Sequence, residues 1–293
     1  MSAAGASPSS SPESGSEDVV DSEGSEGSEG FEELTRALAA RQREMRLQTV
    51  ALRSVDSTNR LARRLAARIG DELPRLLLVA WGQSAGRGRV GRSWSSPPGL
   101  GAYQSIVCRV GDEARLALLP LRVGIGLCRT LGALVPQLAL KWPNDLVTPR
   151  GKLGGILIEL LGGRNGTLIV GYGINVGHDA PQLPLPTATS IRLERQGDLP
   201  VPLGELICRM ASAVVDELDA DEPPACTLDR YRELAAHRPG DRLGCTLAGQ
   251  RYEGRFVDFD EQGRLVLDTA AGRRALSAAD VVETPAPSAE AEG

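Results

Sequence analysis

The chain has 293 residues, of which 41% are hydrophobic and 24% charged, with a formal net charge of −5 at pH 7. This length accommodates one large domain or a large and a small one, while no apolar run approaches the roughly 18 residues of a membrane-spanning helix. The N-terminus also lacks the basic and then apolar pattern of a secretory signal. These features predict a cytoplasmic protein with no membrane partner.

The numbers and spacing of the cysteines and histidines limit the kinds of site that the chain can form. The five cysteines are far apart and show no CxxC spacing, which indicates reduced thiols rather than a disulfide framework. The chain has two histidines, His178 and His237, so a zinc site or a histidine base has little material. The cysteines are Cys108, Cys128, Cys208, Cys226 and Cys245.

Both ends of the chain are low in apolar residues. Residues 1–30 contain seven acidic residues and no Lys or Arg, and we predict a disordered acidic tail there and a second disordered tail over 284–293. The rest of the chain has 33 basic against 31 acidic residues. A body so close to neutral has no global basic surface for nucleic acid, so we expect no DNA partner.

Periodicity predicts the first half of the chain as alternating helices and strands. A helical segment is expected over 31–47, and a second helix follows the loop Ser57-Thr58-Asn59. Strands are expected over 76–81 and 103–110, with a Gly/Arg/Ser/Pro loop over 82–99 between them. Strand, long loop and strand form a common frame for a binding site.

The middle of the chain continues the mixture of helix and strand. A helix is predicted over 113–134 and a strand over 138–142. Two further strands, over 154–161 and 168–172, are predicted to pair as a hairpin through residues 162–166. The combination indicates an α+β fold with a mixed sheet and helices packed on it.

The last third of the chain changes from helical segments to short β-like segments. A Pro-rich loop over 177–202 precedes helices over 203–218 and 228–235, and from residue 238 short β-like segments alternate with turns. We therefore predict a main domain over 31–237 and a small β domain over 238–283. The β-like segments are 243–247, 251–258, 265–268 and 273–276.

Lysine is scarce, and its placement points to a site. The chain has two lysines, Lys141 and Lys152, among many arginines. Lysine is a compact point charge and arginine a planar fork, so the two are not interchangeable. Three of the four asparagines lie in the same motif-like stretches (Asn59, Asn144 and Asn175). Chance survival is the alternative, and it explains this clustering less well.

The Gly/Arg loop, residues 86–94, has the composition of an anion-binding turn. Its glycines let the backbone approach a ligand closely, and Arg87, Arg89 and Arg92 supply guanidinium forks that grip carboxylate or phosphate. A solvated basic turn and an RGG-like nucleic-acid segment are the alternatives that these residues alone leave open.

Two more stretches carry polar residues at predicted strand ends. Asn144 and Asp145 lie between Lys141 and Lys152, so the four residues border a single predicted turn, although Asn-Asp is also common in ordinary turns. Asn175 ends the segment 171–176, which also fits a strand terminus with a bulge.

Together with Ser57-Thr58-Asn59 and Gln83, these stretches resemble the biotin protein ligase family from Ser57 to Val176, and more weakly through the C-terminal β segment. The resemblance implies a class II synthetase-like catalytic fold followed by a small SH3-like β-barrel. It also implies ATP-dependent ligation: biotin and ATP give biotinyl-5′-adenylate, and the biotinyl group then passes to a lysine of a biotin carboxyl carrier protein domain of a carboxylase.

The resemblance also implies the site residues. The implied catalytic residues are Lys152, Arg87, Arg89 and Asp145, and the implied biotin contacts are Ser57, Thr58, Asn59, Gln83, Arg87, Gly88, Arg89 and Lys152. The implied ATP contacts are Asn144, Asp145, Asn175 and Trp94, with Asp145 holding Mg²⁺ on the phosphates.

The chain departs from the family pattern in two places. Val90 stands where many members have a basic residue, so we assign it no role. Residues 31–56 are too few for a winged helix-turn-helix of about sixty residues, which predicts a monofunctional ligase without repressor activity. A lipoate protein ligase and a nucleic-acid-binding module are the rival functions, and a homodimer remains open.

Overall fold

The computed structural model describes residues 22–69, 74–109, 113–162, 166–247, 249–277 and 280–283. The predicted disorder of residues 1–21 and 284–293 falls outside these ranges. Within them, every helix is too short or too polar to span a bilayer.

Helix α1, Ser22–Arg41, begins inside the segment that the sequence presents as an acidic tail. Its buried residues Leu34 and Leu38 pack into the main core, and the Phe31 ring stands edge-on to Trp81 with centroids 6.3 Å apart. The packing of these residues stabilises the helix, and the polar segment before them continues it. The helix ends at Arg41, before the predicted residue 47.

Seven strands form a mixed sheet, which confirms the predicted α+β class. The order is β1-β2-β3-β7-β6-β5-β4. The β1–β2 pair is parallel, and the others are antiparallel. The strands are β1 Gln48–Val55, β2 Leu76–Gln83, β3 Gly101–Arg109, β4 Ala139–Lys141, β5 Asp145–Thr148, β6 Gly151–Leu161 and β7 Thr167–Asn175.

Two of these strands have no counterpart in the sequence prediction. Strand β1 pairs only with β2 at the sheet edge, and no residue of it is fully buried, so it lacks a strong apolar pattern. Strand β5 has four residues and lies inside the stretch that the sequence presents as one turn. Both are held by backbone pairing with a neighbouring strand.

Helices cover both faces of the sheet. Helices α3 (Leu119–Leu131) and α5 (Leu203–Asp219) pack on the face that contains Ile106 and Val170. Helix α2 (Thr58–Ile69) covers the opposite face around Leu78 and Ile169. The predicted helix over 113–134 is divided, because a 3₁₀ turn precedes α3 and Pro120 occupies the first turn of α3. The helices are α2 Thr58–Ile69, α3 Leu119–Leu131, α4 Ile191–Arg195, α5 Leu203–Asp219 and α6 Pro224–Leu234.

A second, five-stranded antiparallel sheet forms the small SH3-like domain. It docks on the first domain where the Trp142 indole N–H donates to the Gly263 carbonyl at 2.9 Å. Gly263 has φ +71°, and a Cβ there would collide with Leu118 and Leu121. The strands are β8 Arg242–Leu247, β9 Gln250–Phe259, β10 Leu265–Thr269, β11 Gly272–Leu276 and β12 Asp280–Glu283.

All five cysteines are free thiols, as predicted, and four of them are buried. Burial raises the pKa of Cys108 to about 11 and that of Cys128 to about 12. Both thiols are therefore protonated at neutral pH, and they serve as small apolar core residues.

Candidate active site

A cavity of about 990 Å³ opens between the start of α2, the Gly/Arg loop and the face of strands β5 to β7. It collects most of the residues that the sequence singles out, although they are far apart in the chain. The predicted site residues that line it are Ser57, Thr58, Gln83, Arg87, Gly88, Arg89, Trp94, Asn144, Asp145, Lys152 and Asn175.

The start of α2 and the end of β2 form one end of the cavity. The Thr58 backbone N–H donates to Gln83 Oε1 at 2.8 Å, and Gln83 Nε2 donates to Ser96 Oγ at 2.8 Å. Ser57 is only 2% exposed. Gln83 thus ties the helix terminus to the segment that follows the Gly/Arg loop, which fixes a small polar group of hydroxyls and an amide at the cavity wall.

Asn59 lies behind this wall, outside the cavity lining. Its amide nitrogen donates to the Leu157 carbonyl at 3.2 Å and to Glu159 Oε2 at 2.9 Å, and its Oδ1 accepts from Ser105 Oγ at 2.6 Å. A Cβ on Gly171 would collide with the Asn59 carbonyl oxygen. The structure therefore does not bring Asn59 to the ligand space with the other predicted biotin residues; its amide holds α2 against the sheet.

The Gly/Arg loop is a small folded hairpin. The Gly88 N–H donates to the Arg92 carbonyl at 2.7 Å, and the Trp94 N–H donates to the Gly86 carbonyl at 2.9 Å. Val90 lies at the tip, 79% exposed, with a left-handed φ of 52° that β-branched residues rarely adopt. The loop crosses the cavity with Arg87 and Arg89 directed at the strands.

Two arginines attach the loop to the sheet. Arg87 Nη1 donates to Glu159 Oε1 at 3.0 Å and Oε2 at 3.2 Å. Arg89 Nη1 donates to Asn144 Oδ1 at 2.9 Å. Burial alone would raise the pKa of the Glu159 carboxyl, but hydrogen bonds from Asn59 and Arg63 and the charge of Arg87 outweigh it and lower the pKa. Glu159 is therefore an ionised anchor for the loop.

Lys152 and Asp145 form an ion pair on the opposite wall. Lys152 Nζ lies 2.7 Å from Asp145 Oδ1 and 5.6 Å from the centroid of the Trp94 ring. The two residues do not border a single turn as predicted, because β5 runs between the turn at Asn144 and the turn before Lys152. They meet because β5 and β6 are adjacent strands that pair with Asp145 opposite Gly155, three residues after Lys152.

The two asparagines shape the cavity through the backbone. Asn144 Nδ2 donates to the Ile156 carbonyl at 2.8 Å, and Asn175 Nδ2 donates to the Thr189 carbonyl at 3.0 Å. Trp94 packs on Gly173, where a Cβ would lie 2.6 Å from Trp94 Nε1. That indole N–H is buried and has no hydrogen-bond partner in the part of the chain that the structure describes.

The acidic residues of the site set a limit on metal binding. Within the described ranges, no group of three or more His, Cys, Asp or Glu residues is arranged to hold a metal ion. Asp145 is the one carboxylate among the lining residues described. Mg²⁺ needs only one or two carboxylates when nucleotide phosphates complete its shell, so the donor set fits an ion that arrives with a nucleotide.

Comparison with known sequences identifies the family. Residues 51–176 match the biotin/lipoate A/B protein ligase family, and residues 245–282 match the biotin protein ligase C-terminal domain. The biotin–[acetyl-CoA-carboxylase] ligase of Mycobacterium tuberculosis is 34% identical over 250 residues, which cover 80% of this chain and 88% of that protein. The chain belongs to the biotin protein ligase family.

Solved structures of biotin protein ligases share the fold. A mutant from Aquifex aeolicus in complex with biotin has a TM-score of 0.68 and 25% identity, covering 81% of this chain and 99% of that one. The enzyme from Leishmania major in complex with biotinyl-5-AMP has a TM-score of 0.55 and 26% identity, covering 79% and 99%. The catalytic fold with an SH3-like C-terminal domain is thereby confirmed.

Sequence reasoning missed one charged residue of this ligase's site, Glu159. It ends the glycine-rich stretch that contains Lys152, but a lone Glu at a strand end reads as a solvated residue. Its signal was the alternation along β6, which places it on the same face as Gly155 and Leu157. That face is the one that looks toward the cavity.

Proposed function

We propose that this ligase forms biotinyl-5′-adenylate from biotin and ATP in the described cavity and then transfers biotin to a lysine of a carrier domain. The supporting observation is the convergence of Gln83, Arg89 and Lys152 on one cavity from three separate elements. One end offers uncharged polar groups and the other offers cations, which suits a neutral ring joined to a carboxylate and a polyphosphate.

Biotin has a neutral ureido ring and an apolar chain, so its site needs few polar groups within apolar walls. Ser57, Thr58 and Gln83 supply hydroxyls and an amide, whereas Leu157 and the face of Trp94 supply apolar surface. This arrangement directs the biotin carboxylate toward the cationic end. Gly88 and the side chains of Arg87 and Arg89 close the cavity above the apolar tail of biotin.

The first step joins two anions. A biotin carboxylate oxygen attacks the α-phosphorus of ATP, a new P–O bond forms, and the bond to pyrophosphate breaks. Two unit charges 4 Å apart repel by about 4 kcal/mol at an effective dielectric near 20. Arg87, Arg89 and Lys152 offset this repulsion. Since positioning and charge stabilisation are sufficient for such a transfer, no protein nucleophile is needed.

Nucleotide binding would use the strand side of the cavity. Asp145 would hold Mg²⁺ on the phosphates, and the bound ion would supply positive charge to the reacting phosphate. Asn144 already binds Arg89 and the Ile156 carbonyl, so its contribution is to orient Arg89. Asn175 and Trp94 remain predicted contacts of the nucleotide.

The second step needs an acceptor amine that can reach the acyl carbon of the adenylate. The neutral ε-amine of the lysine attacks the acyl carbon of the adenylate, and a C–N bond forms. The acyl C–O bond then breaks, AMP leaves with its electrons, and the nitrogen releases a proton to solvent to give the amide. The chemistry requires an exposed lysine on a protein that fits the cavity mouth. We propose the biotin carboxyl carrier domain of a carboxylase as this acceptor, a choice supported by similarity to an acetyl-CoA-carboxylase ligase.

Exchange of labelled pyrophosphate into ATP tests the first step directly. With MgCl₂ present, the wild-type protein should catalyse exchange that depends on added biotin and is absent with lipoate. Exchange with lipoate alone would make the protein a lipoate ligase. No exchange with either acid would overturn the proposed adenylation.

A further inference from the structure

The Glu159 carboxylate connects three elements that carry candidate biotin contacts. It lies on β6 with its side chain 12% exposed. It accepts hydrogen bonds from Asn59 Nδ2 at 2.9 Å, from Arg63 Nη2 at 2.7 Å and from Arg87 Nη1 at 3.0 Å. Helix α2, strand β6 and the Gly/Arg loop therefore meet at one anion.

Glu159 stands behind the wall of the cavity. Among the described residues, Arg87 and Leu157 line the cavity but Glu159 does not. Leu157 precedes it by two residues on the same face of β6, so the strand carries the carboxylate beyond the ligand space. Glu159 can thus influence a ligand only through the groups that it holds.

Arg87 is the group through which this influence passes. Its side chain is 33% exposed, and one of its terminal nitrogens contacts both carboxylate oxygens. A charge-assisted contact of this kind fixes the direction of the guanidinium. Arg63 binds the same carboxylate, but it is half-exposed on the outer face of α2 and absent from the described cavity lining.

We propose that Glu159 is a positioning residue for the adenylation step, which holds Arg87 and with it the Gly/Arg loop over the cavity before biotin arrives. The inference rests on the proposed function. A loop that is already in place loses less conformational freedom when the ligand binds, so the ligand binds more tightly. Glu159 would act on substrate affinity and leave the chemical step largely unchanged.

The variant Glu159→Gln tests this role, because it keeps the size and an acceptor oxygen but removes the charge. In pyrophosphate exchange we expect the KM for biotin to rise about tenfold, the effect of losing one charge-assisted contact, with kcat within about twofold. The matched control is Arg63→Gln, which removes the other arginine on the same carboxylate. Its KM should stay within about twofold of wild type.

A double variant separates positioning from general stability. If Glu159 acts through Arg87, adding Glu159→Gln to Arg87→Gln should raise the KM no further. An undiminished tenfold increase in the Arg87→Gln background would overturn the proposal. So would a KM for Glu159→Gln alone that equals the wild-type value while thermal unfolding shows both proteins folded.

Limited proteolysis tests whether Glu159 holds the Gly/Arg loop, and it needs no measurement of activity. Trypsin should cleave after Arg89 and Arg92 about tenfold faster in ligand-free Glu159→Gln than in Arg63→Gln or wild type, because the loop is released. Equal cleavage in all three would contradict the positioning role. Absent biotin-dependent exchange in the wild type would instead refute the proposed function, and the proteolysis result would still stand.

Discussion

The two walls of the cavity are built in different ways. The strand wall, made of β5, β6 and β7, is held by a continuous backbone ladder in which β6 and β7 pair from Gly154 and Ile174 to Leu161 and Thr167. The loop wall is the Gly/Arg loop, and its backbone hydrogen bonds join residues of the loop to one another. It is attached to the strand wall by the side chains of Arg87 and Arg89.

This difference predicts that the two walls differ in stability and therefore in their role at the site. Backbone ladders are cooperative, whereas a single charge-assisted hydrogen bond contributes only about 1.5–3 kcal/mol. The loop wall should therefore open at a lower free energy than the strand wall. Lys152 and Asp145 sit on the wall that stays in place, and the arginines sit on the wall that can close over a ligand.

The largest expected effect is loss of the lysine on the strand wall. In Lys152→Ala, biotin-dependent pyrophosphate exchange should fall about 100- to 1000-fold, because a fixed cation no longer stabilises the developing charge. The control is Arg150→Ala, an exposed cation on the adjacent turn, which should keep exchange within about twofold of wild type. Equal losses in both would mean that any change on this edge disturbs the strand wall.

The contact between the walls should give the next largest effect. In Gly173→Ala the new Cβ would lie 2.6 Å from Trp94 Nε1, so the indole must move. Overpacking of this size costs about 1–3 kcal/mol, and we expect the KM for biotin to rise about tenfold to hundredfold. In Gly177→Ala the nearest atom would be 3.7 Å away, and the KM should not change. A normal KM in Gly173→Ala would show that Trp94 is not fixed by the strand wall.

Acidic pH should destabilise the seven-stranded sheet at its β4 edge, because His237 becomes protonated. The Ala236 N–H donates to the Leu140 carbonyl of β4 at 2.8 Å, and His237 beside it is 2% exposed. Burial, with a smaller contribution from Lys141, lowers the pKa of His237 to about 4. The unfolded chain binds the proton at a higher pH than the folded chain, so stability is complete above pH 6.5 and is lost as the pH falls toward 4.

Chemical denaturation at pH 7 and pH 5 measures this effect. The wild type should lose about 2 kcal/mol more stability between these pH values than His237→Leu, which has no proton to gain. His178 is present in both proteins and cancels in the comparison. An equal loss in the two proteins would mean that His237 is already solvated in the folded state.

Protection of the loop wall by ligands should be the smallest effect. With biotin and ATP near ten times their dissociation constants, tryptic cleavage after Arg89 and Arg92 should slow about tenfold. Cleavage after Arg150, in the turn between β5 and β6 of the strand wall, should not change. Unchanged cleavage at both places would show that the loop is fully closed without ligand.

The local pattern of the sequence was sufficient for the long elements. Alternating apolar residues predicted β3, two apolar segments on either side of a glycine-rich turn predicted the hairpin of β6 and β7, and apolar spacing predicted α2 and α5. It failed at β1 and β5, because an edge strand and a four-residue strand bury too little to leave a pattern. The composition of residues 22–30 also gave no sign of α1, whose buried residues Leu34 and Leu38 follow that segment.

The sequence by itself predicted which residues carry the chemistry. Rare residue types in glycine-rich stretches, above all Lys152 and the arginines of the Gly/Arg loop, pointed to an anion site and to the biotin protein ligase family. A composition bias of this kind is readable without coordinates, since it depends on residue identity and spacing alone.

Only the tertiary structure decided which of these residues face the ligand space. It directed Asn59 into the wall, paired Lys152 with Asp145 across β5 and β6, and brought Arg87 to Glu159 from 72 positions away in the chain. Such contacts depend on strand register and on which face of the sheet a side chain occupies. A shift of one residue would reverse that face, and the local sequence contains no measure of it.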